Sequence, residues 1–197
     1  MSRLLIAAPL RVEEVLIRSA DRALNVQRTG MGPGRSQAAA AELGRDPADA
    51  LLVAGFCGGL DETSVPGEVI VADTVLAATD EDHSPEQVTC SGVDGLIAAM
   101  ERTGLAVRRG AIVCVSRLAL GERRVQLRQA GAIAVDMESV WLARGAAGRP
   151  FAVVRVVLDS PAHELMRPQA AAGAIRAARA LRRVSSALRA WPGEGLR

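Results

Sequence analysis

The sequence contains no lysine, so all 24 of its basic side chains are arginine. Without a side-chain primary amine the protein cannot form a Schiff base, and it lacks the lysine of a phosphate-binding P-loop. The arginines are nearly balanced by 22 acidic residues, which leaves a net charge of +2. So small an excess of positive charge excludes a strongly cationic nucleic-acid-binding protein.

Histidine and cysteine are scarce as well. Two histidines, His83 and His163, are too few for a histidine-rich metal centre. An odd number of widely spaced cysteines without a CxxC pair is typical of a reducing compartment. They are Cys57, Cys90 and Cys114. The opening apolar run passes directly into charged residues, unlike a signal peptide, and no run is long enough to span a membrane. We therefore expect a cytoplasmic protein that uses no metal or other cofactor.

Short apolar runs alternate with longer, alanine-rich segments of helical period. With 197 residues, 49% hydrophobic and 23% charged, the chain has the length and composition of one globular domain. The alternation predicts a single α/β domain, residues 1–197, with a mostly parallel sheet. The predicted strands are Leu4–Ala8, Val26–Thr29, Leu51–Ala54, Glu68–Ala72, Val107–Val115, Ile133–Val135 and Ala152–Leu158. The predicted helices are Val12–Ala20, Ser36–Leu43, Gly95–Thr103, Glu122–Ala130, Glu138–Ala146 and Pro168–Ala190. The polar segment Thr79–Asp94 is predicted to be a mobile surface loop.

Two glycine-rich segments stand where a predicted strand ends. The first, Gly30-Met31-Gly32-Pro33-Gly34, precedes a helix, whose free N–H groups would suit a phosphate, a ribose or a carboxylate. Arg35 occupies the place of the third glycine in the dinucleotide motif GxGxxG, so an NAD(P)-binding oxidoreductase is the weaker hypothesis. Gly32 is the candidate ligand-binding residue, and a turn that only reverses the chain is the structural alternative.

The second segment, Gly55-Phe56-Cys57-Gly58-Gly59-Leu60, follows the predicted strand that ends at Ala54. Ligands of open α/β sheets bind beyond the carboxyl ends of the strands, so we predict a substrate-binding loop here. Phe56 and Cys57 are its candidate contacts, with the ring of Phe56 against a sugar or a base. An aromatic ring that only fills the base of the loop is an equally good interpretation.

Acidic residues mark two further strand ends. Asp136 and Glu138 lie two residues apart where a strand passes into a helix, so one carboxylate can face a pocket while the other faces elsewhere. Asp159 ends an apolar strand just before Ser160 and Pro161. Taken singly, each acidic residue is equally well explained by a helix dipole or a turn.

The order of these segments is more informative than any one of them. The passage AIAVDMES followed by PFAVVRVVLD, and the passage GFCGGL followed by PGEVIVAD, resemble two motif pairs of the nucleoside phosphorylase family. The resemblance extends to about Leu165 and is closest to the branch of methylthioadenosine/S-adenosylhomocysteine nucleosidases and hopanoid-associated phosphorylases. It implies a three-layer sandwich with a mixed sheet, cleavage of the bond between a purine and a ribose, and assembly as a homo-oligomer.

The resemblance also implies roles for individual residues. Glu138 matches the glutamate that holds the ribose hydroxyls, with Met137 beside the sugar. Asp159 matches the acid that protonates or hydrogen-bonds N7 of the purine, and Glu13 resembles the glutamate that orients the attacking water. These residue types suit cleavage through a sugar cation, which needs a group to activate the departing base and a positioned nucleophile. For Asp159 to act as an acid at neutral pH, burial or nearby negative charge must favour its protonated form.

The chain departs from the family's motifs in two places. The apolar Leu52-Val53-Ala54 stands where phosphorylases carry a phosphate-binding arginine, which favours water over phosphate as the nucleophile unless other arginines compensate. The segment 113–120, where nucleosidases present an aromatic residue to adenine, contains none. Recognition of the base would then fall to Phe56, Trp141 or Phe151.

These features together predict hydrolytic release of adenine from a 5′-substituted adenosine such as adenosylhopane. The abbreviated region after Asp73 supports a bulky substituent, because a shorter rim leaves the pocket more open. A phosphate-dependent purine nucleoside phosphorylase and a non-catalytic nucleoside-binding protein are the alternatives.

The last predicted helix combines an apolar stripe with positive charge. Its apolar residues recur at helical spacing beside several arginines, and they are Ile175, Leu181, Val184, Leu188 and Trp191. The pattern predicts a helix packed on the sheet with a solvated basic face. Transient contact with an anionic membrane surface is the second hypothesis.

Overall fold

The computed structural model describes residues 3–78, 87–163, 170–188 and 191. Within these ranges strands and helices alternate for most of the chain. The strands are β1 Leu4–Ala8, β2 Asn25–Arg28, β3 Ala50–Gly59, β4 Val69–Ala77, β5 Gln87–Thr89, β6 Val107–Cys114, β7 Ala132–Asp136 and β8 Phe151–Asp159. The helices are α1 Arg11–Ala20, α2 Pro33–Leu43, α3 Val93–Glu101, α4 Glu122–Gln129, α5 Ser139–Ala143 and α6 Ala170–Ala187, and a short 3₁₀-helix, Arg144–Ala146, continues α5.

The strands form one mixed sheet that closes on itself. β3 pairs in parallel with β8, β8 pairs antiparallel with β4, and β4 continues in parallel through β6 to β7. Two residues of β7 then return antiparallel to the end of β3. β1 with β2, and β5, extend the sheet outwards from β3 and β4. The predicted α/β class with a mixed, mostly parallel sheet is confirmed, whereas the closure is not foreseen in the sequence pattern.

The central strands are apolar along their length because both of their faces are covered. In β3 and β8 nearly every residue is buried, so each sequence is a continuous apolar run rather than an alternation. One residue breaks the run, because Arg155 lies in the middle of β8 and is wholly buried. A buried charge is costly unless it is paired, so Arg155 marks the place where the core meets a polar site.

The second glycine segment belongs to a strand, and its prediction as a loop is wrong. β3 does not end at Ala54 but continues to Gly59. The register with β8 shifts at a bulge between Cys57 and Gly58, beyond which Gly58 pairs with Asp159 of β8 and with Val135 of β7. The glycines permit a close approach of neighbouring groups, and a composition rich in glycine resembles a loop when only the sequence is considered.

The predicted surface loop Thr79–Asp94 is only partly covered by the structure, because residues 79–86 lie outside the described ranges. The rest of the segment contains β5, which pairs antiparallel with β4, and the first residues of α3. For this part the loop prediction is wrong. A three-residue edge strand is too short to show an alternating pattern of its own.

The C-terminal segment packs on the sheet, as its apolar spacing predicts. Leu181, Val184, Leu188 and Trp191 are wholly buried, whereas Ile175 is 53% exposed. The apolar stripe therefore faces the core and is not available to a lipid surface. Within the described ranges, no helix combines the length and the apolar character needed to cross a bilayer.

Candidate active site

Arg155 lies at the centre of a cluster of buried carboxylates. Its Nη2 is 2.6 Å from Asp136 Oδ2 and 3.2 Å from Glu138 Oε2, and it donates to Ser139 Oγ over 3.0 Å. Burial works against the charge on Arg155, but the carboxylates of Asp136, Glu138 and Glu13 outweigh it and raise its pKa. The guanidinium is thus a fixed positive charge that holds these acidic side chains in place.

Glu13 is held near the start of α1 by two backbone groups and is 1% exposed. Its Oε2 accepts the Leu10 N–H over 2.6 Å, and its Oε1 accepts the Phe56 N–H over 2.6 Å. Burial raises the pKa of Glu13 to about 7, although Arg155 and these two N–H groups oppose the change. A carboxylate that ionises near neutral pH can take a proton from water, which suits a general base.

The glycine at position 55 is required by the packing of Glu13 and Arg155. A methyl group added at Gly55 would lie 2.6 Å from Glu13 Cδ and 2.9 Å from Arg155 Nη1. Both distances are shorter than a van der Waals contact, so a side chain at this position would push the carboxylate and the guanidinium apart. β3 therefore carries a glycine where it passes closest to the charged cluster.

Glu138 connects this cluster to the first glycine segment. It lies just before α5, where its Oε1 accepts the Gly32 N–H over 3.2 Å while its Oε2 faces Arg155. Gly32 has a φ of 88°, which favours glycine, and it precedes the first residue of α2. Burial raises the pKa of Glu138, and Arg155 opposes the change. The structure thus brings together Glu13, Glu138 and Gly32 from three separate segments.

Asp136 has a supporting position beside Glu138. The Cys114 S–H donates to Asp136 Oδ1 over 2.7 Å, and the Ser139 hydroxyl donates to Oδ2. Arg155 is the third side chain in contact with this carboxylate, so both of its oxygens are occupied by contacts within the protein. The two acidic residues therefore differ in function, because Asp136 fixes the turn while Glu138 faces Gly32.

Asp159 lies at the end of β8 in an ion pair with Arg124 of α4. Both side chains are nearly buried, with residue exposures of 7% for Asp159 and 4% for Arg124. Arg124 is anchored at its other end, where Nε donates to the Ala119 carbonyl oxygen over 2.9 Å. Of the two conditions named for Asp159, burial is met, whereas the charged neighbour in this ion pair is a cation; its role as an acid stays a prediction.

Asp159 and Arg124 line a cavity of about 50 Å³ together with Met137. The remaining lining residues are Gly58, Val115, Leu118, Ala119, Val135 and Asp136. This volume is far below the roughly 300–1,000 Å³ of small-molecule sites, so a base would have to displace side chains at the rim. Leu118 is the exposed rim residue, with 68% of its surface accessible.

A second cavity, of about 470 Å³, lies between the start of α1 and the first glycine segment. Its lining is Pro9, Leu10, Arg11, Arg28, Thr29, Gly30, Met31 and Arg35. It is contiguous with the site through Leu10, whose N–H binds Glu13, and through Met31, which precedes Gly32. Its charged lining residues are all arginines, which suits an anionic group.

The three aromatic residues that the sequence offers for contact with the base pack against the hydrophobic core in the structure. Phe56 contributes its backbone N–H to Glu13 while its ring packs against the core, and Trp141 and Phe151 also pack there. Cys57 is buried in β3, where burial raises the pKa of its thiol. Within the described ranges, no group of His, Cys, Asp or Glu side chains is arranged to hold a metal ion.

Two arginines of the site are absent from the residues predicted from sequence. Arg155 could have been identified from the sequence, because a single charge inside a buried apolar strand needs partners. Arg124 could not have been identified in this way, since it is one of three arginines in a short, polar helix. Its role depends on α4 lying over the end of β8, which only the tertiary structure shows.

Comparisons with known proteins agree with this architecture. The sequence model of the phosphorylase superfamily matches residues 14–188. Among solved structures, the 5′-methylthioadenosine/S-adenosylhomocysteine nucleosidase of Helicobacter pylori superposes with a TM-score of 0.80 at 16% identity, covering 98% of this chain and 99% of that chain. The futalosine hydrolase of the same organism gives a TM-score of 0.77 at 16% identity, covering 98% of each chain.

A third structure extends the likeness to another organism. The nucleosidase of Neisseria meningitidis gives a TM-score of 0.75 at 19% identity, covering 95% of this chain and 99% of that chain. No curated protein matches the sequence significantly. The superpositions show a shared fold, and the family match spans most of the sequence. The chain therefore belongs to the phosphorylase superfamily.

Proposed function

We propose that this protein hydrolyses the N-glycosidic bond of a purine nucleoside. The observation that supports the proposal most strongly is the position of Glu13 and Glu138 around Arg155, next to the cavity that contains Asp159. Family membership and the fold agree with it, because two of the similar structures are nucleosidases and one is a hydrolase of futalosine.

In the proposed reaction each carboxylate has a separate task. Glu138 holds the ribose hydroxyls, with Met137 against the sugar, while Asp159 contacts the N7 edge of the base. Glu13 takes a proton from water as the water oxygen bonds to C1′. The bond between C1′ and N9 breaks at the same stage, and its electron pair moves to the purine. The purine takes up a proton from Asp159 or from solvent, and Glu13 and Asp159 return to their starting protonation states by exchange with solvent. The products are a free base and a ribose with a hydroxyl at C1′.

The proposed substrate is a 5′-substituted adenosine such as adenosylhopane, with water as the nucleophile, in the cytoplasm. Support comes from the nucleosidases among the similar structures, which are named for substrates of this kind. Homo-oligomerisation stays a prediction. Contact with a membrane surface also stays a prediction, and it depends on the arginines of α6 because the helix's apolar stripe is buried.

A substrate panel tests the proposal. Pure protein is incubated with adenosylhopane, methylthioadenosine and inosine, each with and without phosphate, and free base is measured by chromatography. We expect adenine to be released without phosphate. Absence of base from every substrate under both conditions would overturn the assignment, and a non-catalytic nucleoside-binding protein would then be the better explanation.

One observation favours phosphorolysis as a second candidate. The 470 Å³ cavity is lined by Arg11, Arg28 and Arg35, and none of them forms an ion pair with another described residue. Three such guanidinium groups could hold a phosphate dianion in place of the arginine that is missing before Gly55. Phosphate-dependent formation of a sugar phosphate in the same panel would reassign the chain as a phosphorylase.

The pH dependence of the reaction follows from Glu13. Because its pKa is raised to about 7, a large fraction of Glu13 is protonated in mildly acidic solution and cannot accept a proton. We expect kcat/KM to fall by about tenfold for each pH unit below about 7. The measurement is a pH profile of base release, with Glu14→Gln as a control that keeps the profile. A flat profile between about pH 5.5 and 8 would contradict Glu13 as the general base.

A further inference from the structure

We propose that the cavity between α1 and the first glycine segment binds a negatively charged group at the 5′ end of the substrate. The preferred substrates are then nucleosides with an anionic 5′ substituent. This inference rests on the proposed function and names a substrate class for it. The hydrocarbon chain of adenosylhopane carries no such charge, so an anionic substituent should be preferred to it.

The first argument is the charge around this cavity. Arg11, Arg28 and Arg35 line it, and none of them forms an ion pair with another described residue. The described residues of the lining include no acidic side chain. The cavity also lies beside the first turns of α1 and α2, where free backbone N–H groups add partial positive charge. Positive charge from several sources therefore converges on one space.

The second argument is a buried hydroxyl in the cavity wall. Thr29 is 8% exposed and lines the cavity, and its Oγ1 has no hydrogen-bond partner among the described residues. A buried hydroxyl without a partner is costly, and native proteins contain few of them. An oxyanion in the cavity would accept a hydrogen bond from Thr29 as well as from the arginines. The wall thus offers a neutral donor next to charged ones.

Backbone hydrogen bonds fix the walls of the cavity to each other. The Thr29 N–H donates to the Ala8 carbonyl oxygen, and the Gly30 N–H donates to the Pro9 carbonyl oxygen, each over 3.0 Å. Arg35 lies across Gly30, because a methyl group added at this glycine would be 2.7 Å from Arg35 Cδ. A ligand therefore meets walls that are already ordered, which lowers the entropic cost of binding.

The third argument is the position of the cavity relative to the reacting carbon. The lining includes Leu10, whose N–H binds Glu13, and Met31, which precedes Gly32. Glu13 and Glu138 themselves do not line the cavity. A group in the cavity is thus a neighbour of the ribose site and does not take the place of the attacking water. With C1′ at Glu13 and the ribose hydroxyls at Glu138, the 5′ carbon is the remaining point from which a substituent can extend.

Two features favour a substituent of the substrate over a free phosphate ion. The volume of about 470 Å³ lies within the range of small-molecule sites, roughly 300–1,000 Å³, and is larger than one phosphate ion fills. A phosphate dianion that attacks C1′ must also approach the carboxylates of Glu13 and Glu138, which repel it when they are ionised. An anion tethered at the 5′ carbon uses the same arginines and stays away from these carboxylates.

Matched pairs of nucleosides test the inference. 5′-Deoxy-5′-(2-carboxyethylthio)adenosine and its carboxamide have nearly the same shape and differ in charge, and adenosine 5′-monophosphate is compared with adenosine in the same way. The measurement is kcat/KM for release of adenine without added phosphate. We expect the anionic member of a pair to be preferred about tenfold or more, because hydrogen bonds to charged groups are the stronger ones. A preference within one pair alone supports the inference and identifies the anion as a carboxylate or a phosphate.

Variants locate the preference in the cavity. Arg28→Gln and Arg35→Gln remove exposed charges, and each should lower the ratio of kcat/KM between the preferred anionic nucleoside and its uncharged partner by about threefold or more. The control is Arg45→Gln, because Arg45 is exposed, follows α2 and lies outside the lining, so this variant should keep the ratio. A wild-type preference that survives in both cavity variants would overturn the inference.

Thr29→Val separates a binding role of the hydroxyl from a structural one. Valine has nearly the same shape without the hydroxyl, so the variant should be at least as stable as the wild type while its preference for the anionic nucleoside decreases. Urea denaturation and the same kinetic ratio are the two measurements. A less stable variant with an unchanged ratio would show that the hydroxyl serves the fold, which contradicts its place in the anion site.

The outcomes distinguish this inference from the proposed function. If the wild type cleaves both members of each pair equally well, the inference is overturned and the hydrolase assignment stands. Formation of a sugar phosphate that Arg28→Gln abolishes, with equal use of both members, would assign the cavity to a free phosphate and also overturn the inference. If the wild type cleaves no nucleoside, the proposed function fails, and calorimetric titration with the acid and its carboxamide decides the inference by itself.

Discussion

Replacing Arg155 by methionine is expected to lower the free energy of unfolding by about 3–5 kcal/mol. The change removes the only cation in contact with the buried carboxylates of Asp136 and Glu138 among the described residues. Methionine fills similar space, so the loss comes from charge left without compensation in a dry environment rather than from a cavity. The measurement is urea denaturation followed by circular dichroism.

Two further variants make this prediction specific. Arg128→Met removes an exposed arginine that is paired with Asp61, and it should change stability by only about 0–1 kcal/mol. Adding Asp136→Asn to the Arg155→Met protein should recover part of the lost stability, because it removes one uncompensated charge. If Arg155→Met is as stable as the Arg128→Met control, the carboxylates do not depend on Arg155 and our description of the site is wrong.

Replacing Glu13 by glutamine is expected to reduce kcat by about 100- to 10,000-fold while KM changes little. Glutamine has nearly the same shape but cannot accept the proton of the attacking water. In the proposed mechanism, binding of the nucleoside depends on Glu138 and on the cavity around Asp159, so the loss should fall on the chemical step. Steady-state kinetics on the best substrate of the panel provides the measurement.

The neighbouring residue supplies a matched control for Glu13. Glu14 has the same side chain and lies in the same turn of α1, but its carboxylate pairs with Arg18 in an exposed contact. Glu14→Gln should therefore keep wild-type kinetics. A Glu13→Gln protein that folds normally and retains activity within about threefold would remove Glu13 from the mechanism, because a general base contributes at least about 100-fold.

The predictable part of the site consists of residues with a chemical signature in a local pattern. Glu13, Glu138 and Asp159 stand at the ends of strands or at the start of helices, where α/β proteins place functional groups, and their motifs occur in the family's order. Gly32 is likewise predictable, because it precedes a helix and its φ of 88° favours glycine. Local sequence decides such features, since each depends on a few neighbouring residues.

The errors share a physical cause. Gly55 to Gly59 is rich in glycine, and such a segment favours a loop, yet β8 and β7 pair with it and keep it extended. Phe56 stays a candidate partner for a base, but the sequence did not show that its backbone N–H binds Glu13 or that its side chain packs against the core. Both outcomes depend on strands distant in sequence, and local propensity carries no information about them.

The sequence by itself determined the class of fold, the order of its strands and helices apart from β5, and the acidic residues available for chemistry. Those properties follow from apolar periodicity and from motifs that span a few residues. Only the tertiary structure decided that the sheet closes, that Arg155 gathers Glu13 and Glu138, and that Arg124 pairs with Asp159. These are contacts between segments far apart in the chain, and they form because a buried charge must find a partner wherever the packing of strands and helices brings one near.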